Sequence, residues 1–134
     1  MKRIHWLTPL GMRAIHDELI AHYGGTAGIR DAGLLEAALT RPEHLATYAP
    51  DARIPHFAAA YAWGILRNHP FVDGNKRVAL AALVVFLEIN GYELHCSEAE
   101  ETAMILRAAA GEIKEPHWIA WVKKNCRPCR KTST

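Results

Sequence analysis

His69, Asp73, Lys76 and Arg77 fall within the nine residues His69-Pro70-Phe71-Val72-Asp73-Gly74-Asn75-Lys76-Arg77. Each type has a chemistry that can be specified. An imidazole takes up a proton near neutral pH, which makes His69 the natural general base. Asp73 offers a hard oxygen ligand, suited to Mg2+ carried by a nucleotide. Lys76 and Arg77 can neutralise phosphate oxygens, and the Asn75 amide can donate to one. Gly74 removes a side chain where a phosphate would approach the backbone. An apolar stretch, Ala79 to Leu87, follows directly, so these groups gather where a buried helix begins. The first N–H groups of such a helix lack internal acceptors and carry partial positive charge, which suits an anion. Singly, Asp73 and Asn75 could be helix caps and His69 a turn residue. Their concentration in one loop favours a phosphate-handling site instead. Phe71 is expected in the core on either reading, anchoring the loop.

The elements that must hold this loop can be read from periodicity and punctuation. Thr8-Pro9 is a helix start, with a capping side chain and a proline at the first position. Leu10, Ala14, Ile15, Leu19 and Ile20 continue it at helical spacing to Tyr23-Gly24-Gly25. Asp31 can cap a second helix carrying Leu34, Leu35, Ala38 and Leu39, with Arg41-Pro42 expected to end it. Thr47 to Pro55 contains two prolines and no period, and is expected to be an exposed loop that could hold a target. Phe57 to Asn68 reads as a third helix, ending near His69 because Pro70 disfavours helical geometry before it. The fourth begins at Gly74 or Asn75 and runs to Asn90, where Gly91 stops it. Between Val78 and Ile89 its only charge is Glu88, so it belongs in the middle of a bundle. Ser97-Glu98-Ala99-Glu100 fits a capping box opening a fifth helix. Glu115-Pro116 opens a sixth, with Trp118, Ile119, Trp121 and Val122 on its apolar face. There is no internal repeat and no βαβ alternation. The expected fold is all-α: a compact bundle of about six helices around a buried central fourth helix, in one domain over residues 1–134.

Composition narrows the class further. The chain has 134 residues, with 16 basic and 14 acidic side chains and a net charge of +2. That balance argues against direct nucleic-acid binding, although the tail from about 123 to 134 is locally basic and is expected to be a solvated end. Three cysteines cannot close a disulfide framework, which favours a reducing compartment. Cys126 and Cys129 have C-x-x-C spacing, but a zinc site needs about four ligands and no second pair follows. Met1-Lys2-Arg3 leads into no long apolar segment, and the longest apolar run is about half the ~20 residues of a membrane span. A cytoplasmic protein is expected. His16-Asp17 forms an HD dipeptide, as in metal phosphohydrolases, without the rest of that pattern, and is expected on a helix surface. No Gly-Lys pair occurs, so there is no Walker A loop, and no protein-kinase motif set is present.

The run from His69 to Arg77 fits the H-x-F-x-D/E-G-N-x-R pattern of the Fic superfamily. With Val78-Ala79-Leu80, Phe86-Leu87 and Asn90-Gly91 behind it, the stretch resembles the Doc (death-on-curing) branch. His16-Asp17-Glu18, Tyr23-Gly24-Gly25 and Gly28-Ile29-Arg30-Asp31 followed by Gly33 resemble that branch too. The likeness covers roughly residues 8 to 91; beyond them only helical character matches. The resemblance implies a toxin of a type II toxin–antitoxin system, restrained by a Phd-like antitoxin whose C-terminal segment folds on binding. Carried over, His69 is the general base and Asp73 the magnesium-associated carboxylate. Gly74, Asn75, Lys76 and Arg77 form the anion hole for the phosphates of ATP, and Phe71 is the buried anchor. Lys76 stands where adenylylating Fic enzymes usually carry a second glycine, and Leu80 where they carry a second arginine. In Doc toxins the similar pattern goes with phosphoryl transfer to a protein hydroxyl, with elongation factor Tu as the target class. The resemblance therefore favours an ATP-dependent protein kinase over an AMP transferase, and either over a non-catalytic antitoxin-binding module. The inhibitory S/T-x-x-x-E-G/N helix of many Fic proteins has no counterpart, since no glutamate here precedes glycine or asparagine.

Overall fold

A computed structural model describes residues 3–129. Six helices follow one another: α1 (Pro9–Tyr23), α2 (Ala32–Tyr48), α3 (Ile54–Asn68), α4 (Asn75–Ile89), α5 (Glu98–Ala109) and α6 (Glu115–Asn125). The starts are chemically explicit. The Thr8 hydroxyl accepts from Gly11 N–H, the Asp31 carboxylate from Leu34 N–H and the Ser97 hydroxyl from Glu100 N–H. Each satisfies a donor that the first helical turn leaves open. Of the basic tail read over 123–134, residues 130–134 lie outside the described residues.

The centre of the bundle is the pair α3–α4, with α2 and α6 packed against α3 and with α1 and α5 against α4. Ala58, Ala59, Tyr61, Ala62 and Ile65 of α3 have no exposed surface, and neither do Val78, Ala79, Ala82, Leu83, Phe86 and Leu87 of α4. Small residues let the axes approach. A Cβ at Gly64 would lie 3.3 Å from Ala38 of α2, so glycine sets that contact. Two buried polar groups of the core find partners across the chain. Trp118 Nε1 donates to the Ala59 carbonyl at 3.0 Å, and the Tyr61 hydroxyl accepts from Leu7 N–H at 3.0 Å.

Three local expectations are corrected. Arg41-Pro42 does not end α2, which continues to Tyr48 with a buried Pro42 in its interior. A proline there forfeits one backbone hydrogen bond, but Leu45 and Ala46 of the following turn pack on the core. Burial thus outweighs local propensity, and the segment read as a loop from Thr47 to Pro55 contracts to the five residues 49–53 between α2 and α3. Pro55 lies in the first turn of α3, where its missing N–H costs nothing. Thirdly, a small antiparallel ribbon joins β1 (Tyr92–Leu94) to β2 (Cys126–Pro128), pairing Glu93 with Arg127 and Leu94 with Cys126. Cys126 and Cys129 therefore belong to, and follow, a strand. Among the described residues no helix is long and apolar enough to cross a membrane.

Candidate active site

The turn from α3 into α4 is built around His69. It is the one non-glycine residue with positive φ among the described residues, at φ 47° and ψ 57°. Its N–H closes α3 on the Ile65 carbonyl at 3.0 Å. A left-handed conformation costs a Cβ-bearing residue about 1–2 kcal/mol, so surrounding contacts must hold it. The following residues reverse the chain: Phe71 dives into the core at 1% exposure, and Gly74, at φ 76°, starts α4. Left-handed backbone is what Gly74 supplies here; a Cβ on it would face α1, 3.5 Å from Ile20 Cδ1 and 3.7 Å from His16 Nε2.

Asn75, 8% exposed, brackets this loop. Its Oδ1 accepts from Phe71 N–H at 3.0 Å, while its Nδ2 donates to the Phe71 carbonyl at 2.9 Å and lies 3.4 Å from His69 Nδ1. The side-chain amide is thus turned toward the loop, and only the backbone N–H of Asn75 is left at the helix N-terminus. Asn90 uses the same device at the other end of α4, exchanging two hydrogen bonds with the backbone of His5.

Beneath the loop lies His16, and here the expectation of a surface dipeptide is overturned. His16 is 2% exposed, whereas Asp17 faces solvent. The imidazole stacks on Phe71, with ring centroids 4.0 Å apart and planes 12° from parallel, and its Nε2 lies 2.7 Å from the Asp73 carbonyl oxygen. Met12, four residues earlier, is the other buried residue of α1. That i, i+4 stripe was the available signal for an inward His16.

Asp73 stands at the cavity with its carboxylate in solvent. Oδ2 accepts from Thr26 N–H at 3.1 Å and Oδ1 from Gly74 N–H at 2.8 Å. These bonds, Thr26 first and then Gly74, favour the charged form and hold the carboxyl below its ordinary value, with Arg77 and His16 adding to the effect. Gly25 suits this approach: a Cβ there would come within 2.7 Å of Asp73 Oδ2, and its φ of +117° would strain any other residue. Arg77 is exposed and stacks its guanidinium over the Tyr23 ring, 4.4 Å from the centroid. The sequence marks Tyr23 only as part of a helix stop.

Tyr23 and Arg77 line one cavity of about 780 Å3 together with His69, Asp73, Gly74, Asn75 and Lys76. Its two ends differ. Cations, the histidine and the start of α4 occupy one; Leu80, Val84, Ile105 and Leu106 wall the other, between α4 and α5. The single acid there, Glu101, has its carboxyl pushed up by burial and by neighbouring Glu98. The face of α4 that the core does not cover is therefore the apolar wall of the cavity. Among the described residues no group of three or more His, Cys, Asp or Glu could hold a metal ion. Asp73 alone fits Mg2+ of the kind that arrives with phosphates, since such an ion takes one or two carboxylates and keeps water and phosphate oxygens.

Residues 6–87 match the family model described as Fic/DOC family. The chain belongs to that family. Over 107 residues this Fic/DOC chain is 35% identical to Protein kinase doc of Escherichia phage P1, across 80% of its own length and 84% of the phage protein. Over 74 residues it is 49% identical to Toxin Doc of Mycolicibacterium smegmatis, across 54% of its own length. That second match spans a little over half, 56%, of the mycobacterial protein. The Fic/DOC match ends within α4, so it includes the whole His69–Arg77 loop.

Proposed function

We propose that this chain is the toxin of a type II toxin–antitoxin pair and transfers the γ-phosphate of ATP to a hydroxyl of a translation factor, elongation factor Tu being the favoured target. The observation that carries the reading is the asymmetry of the cavity. Positive charge is confined to the His69 end, and Leu80 stands one turn along α4 where a further cation would be needed to hold phosphates deeper in. The terminal phosphate, with the greatest charge, then lies over the α4 N-terminus beside His69, and the apolar cleft between α4 and α5 takes the rest of the nucleotide. The names of the relatives, a toxin and a protein kinase, support a toxin that transfers phosphate.

In this reading His69 accepts the proton of the target hydroxyl as its oxygen bonds to the γ-phosphorus. The bond from phosphorus to the β–γ bridging oxygen breaks, and ADP leaves. Arg77, oriented by Tyr23, and Lys76 neutralise the transferring group, as do the N–H groups of Asn75 and Lys76, the Gly74 N–H being held by Asp73. Asn75 contributes its side chain to the loop and its backbone to the anion. Asp73 would hold Mg2+, whose charge would offset that of the phosphates. Restraint comes from an antitoxin whose disordered segment folds as a helix against the N-terminal half, where Leu10 is 79% and Tyr23 59% exposed.

Two experiments test the proposal. Incubating the target with γ-labelled and with α-labelled ATP should label it from the γ position alone; label from α would make the chain an AMP transferase, and label from neither would leave a binding module. Expression alone should stop growth, and co-expression with the neighbouring open reading frame should restore it. Equal growth in both, with soluble and active protein, would refute restraint in trans.

A further inference from the structure

The loop between α1 and α2 makes a set of contacts that the reaction above does not use. Arg30 Nε donates to the His69 carbonyl at 2.7 Å, and Arg30 Nη2 donates to the Asn68 carbonyl at 2.7 Å. The backbone N–H groups of Arg30 and Asp31 both donate to the Pro70 carbonyl, at 2.7 and 3.0 Å. Three consecutive carbonyls, those of residues 68, 69 and 70, are thus answered by one dipeptide. The last carbonyls of a helix have no internal donors and carry partial negative charge, so a guanidinium fork suits the end of α3. Arg30 is not among the residues lining the cavity; it works from behind the loop.

The neighbouring contacts extend the clamp. Ile29 bridges to Phe71, Val72 N–H donates to the Gly28 carbonyl, and Asn68 Nδ2 donates to the Leu34 carbonyl. Asp31 caps α2 with its side chain. The end of α3 is therefore tied to the start of α2 by the direct Asn68–Leu34 bond and, through its guanidinium, by the exposed Arg30. What the clamp holds is the left-handed turn at His69, which has a Cβ and precedes a proline, and which has no intrinsic reason to persist.

We propose that Arg30 is a positioning residue for His69: its guanidinium fixes the carbonyls of Asn68 and His69 and thereby aims the imidazole into the cavity. The inference rests on His69 acting as general base in phosphoryl transfer. It predicts a separation of effects. The phosphate site lies on α4, so Arg30→Ala should leave KM for ATP unchanged, while turnover falls on the order of 10²-fold, as expected when a reacting group is misplaced by about 1 Å. Arg30→Lys, which has the charge without the fork, should fall between wild type and alanine, and added guanidinium should restore part of the turnover of Arg30→Ala.

A second measurement is independent of catalysis. In protein carrying 13C-labelled histidine, with the His69 ring signal assigned by its loss in His69→Gln, wild type should give one sharp ring correlation. Arg30→Ala should broaden it or move it toward the free-histidine position, and leave the His16 ring signal in place. If wild type transfers no phosphate, the general-base reading fails while the ring signals still decide the role of Arg30. An unmoved His69 signal in Arg30→Ala overturns the proposal. So does an equal loss through KM alone, or turnover equal to wild type.

Discussion

Replacing Asn75 with alanine separates two roles that its position allows, a phosphate donor or a bracket for the loop. The side chain is 8% exposed and serves both polar groups of the Phe71 backbone, in surroundings that are themselves buried. Alanine leaves Phe71 N–H and C=O without partners where water cannot readily replace the amide. Each buried polar group so orphaned costs about 1–3 kcal/mol. Allowing for partial rehydration of the carbonyl, the variant should lose ~2–4 kcal/mol. At the usual entropy of unfolding per residue, a chain of this length should melt roughly 7–14 °C lower. Domains of ordinary stability survive a loss of that size, so the protein should be folded but loosened at the turn that delivers His69. Urea unfolding followed by circular dichroism gives the stability, calorimetry with Mg-ATP gives the affinity, and the transfer assay gives turnover. The expected pattern is a lowered urea midpoint, a large fall in turnover and nearly unchanged Mg-ATP affinity. An unchanged midpoint together with weakened Mg-ATP binding would refute the bracket and return the amide to the phosphate.

Other outcomes follow from the same geometry. His69→Ala should abolish transfer by ~10²–10⁴-fold while the melting temperature hardly moves, because the side chain is exposed; toxicity and transfer at wild-type levels would sink its assignment as the base. Arg77→Ala should weaken Mg-ATP by about 1.5–3 kcal/mol, the value of a charge-assisted contact, and Tyr23→Leu should cause a smaller loss by releasing the stacked guanidinium; calorimetry showing equal affinity for all three proteins would remove the anion site. Asp73 has its folded carboxyl lowered, so the stability that its bonds to Thr26 and Gly74 contribute is present above the unfolded carboxyl range and is lost as pH falls through the folded value. A carboxyl 13C titration should place its midpoint below the ordinary 3.8, and a midpoint at or above that value contradicts the hydrogen-bonded geometry.

The parts of this protein legible in its sequence are those encoded by neighbours in the chain. Thr8-Pro9, Asp31 and Ser97 announce their helices because a cap acts within three residues, and Gly24 and Gly91 follow helix ends for the same reason. The nine residues from His69 to Arg77 point to the proposed phosphate site because a loop and the helix start behind it are contiguous. Groups that meet from distant positions leave no comparable trace. Arg30 is 39 residues from His69, and His16 is 57 residues from the carbonyl it meets. Their roles arise when α1 and the loop after it fold against the α3–α4 turn. The ribbon pairs Tyr92 with Pro128 across a stretch that contains two helices, too short and too remote a pairing for alternation to reveal. Pro42 carries a local stop that packing overrides, since the gain from burying the turns beyond it exceeds the loss of one backbone hydrogen bond. The chemistry of the site is therefore written along the chain, whereas its aim, the direction in which His69 and Arg77 point, comes from contacts that exist only once the helices have packed.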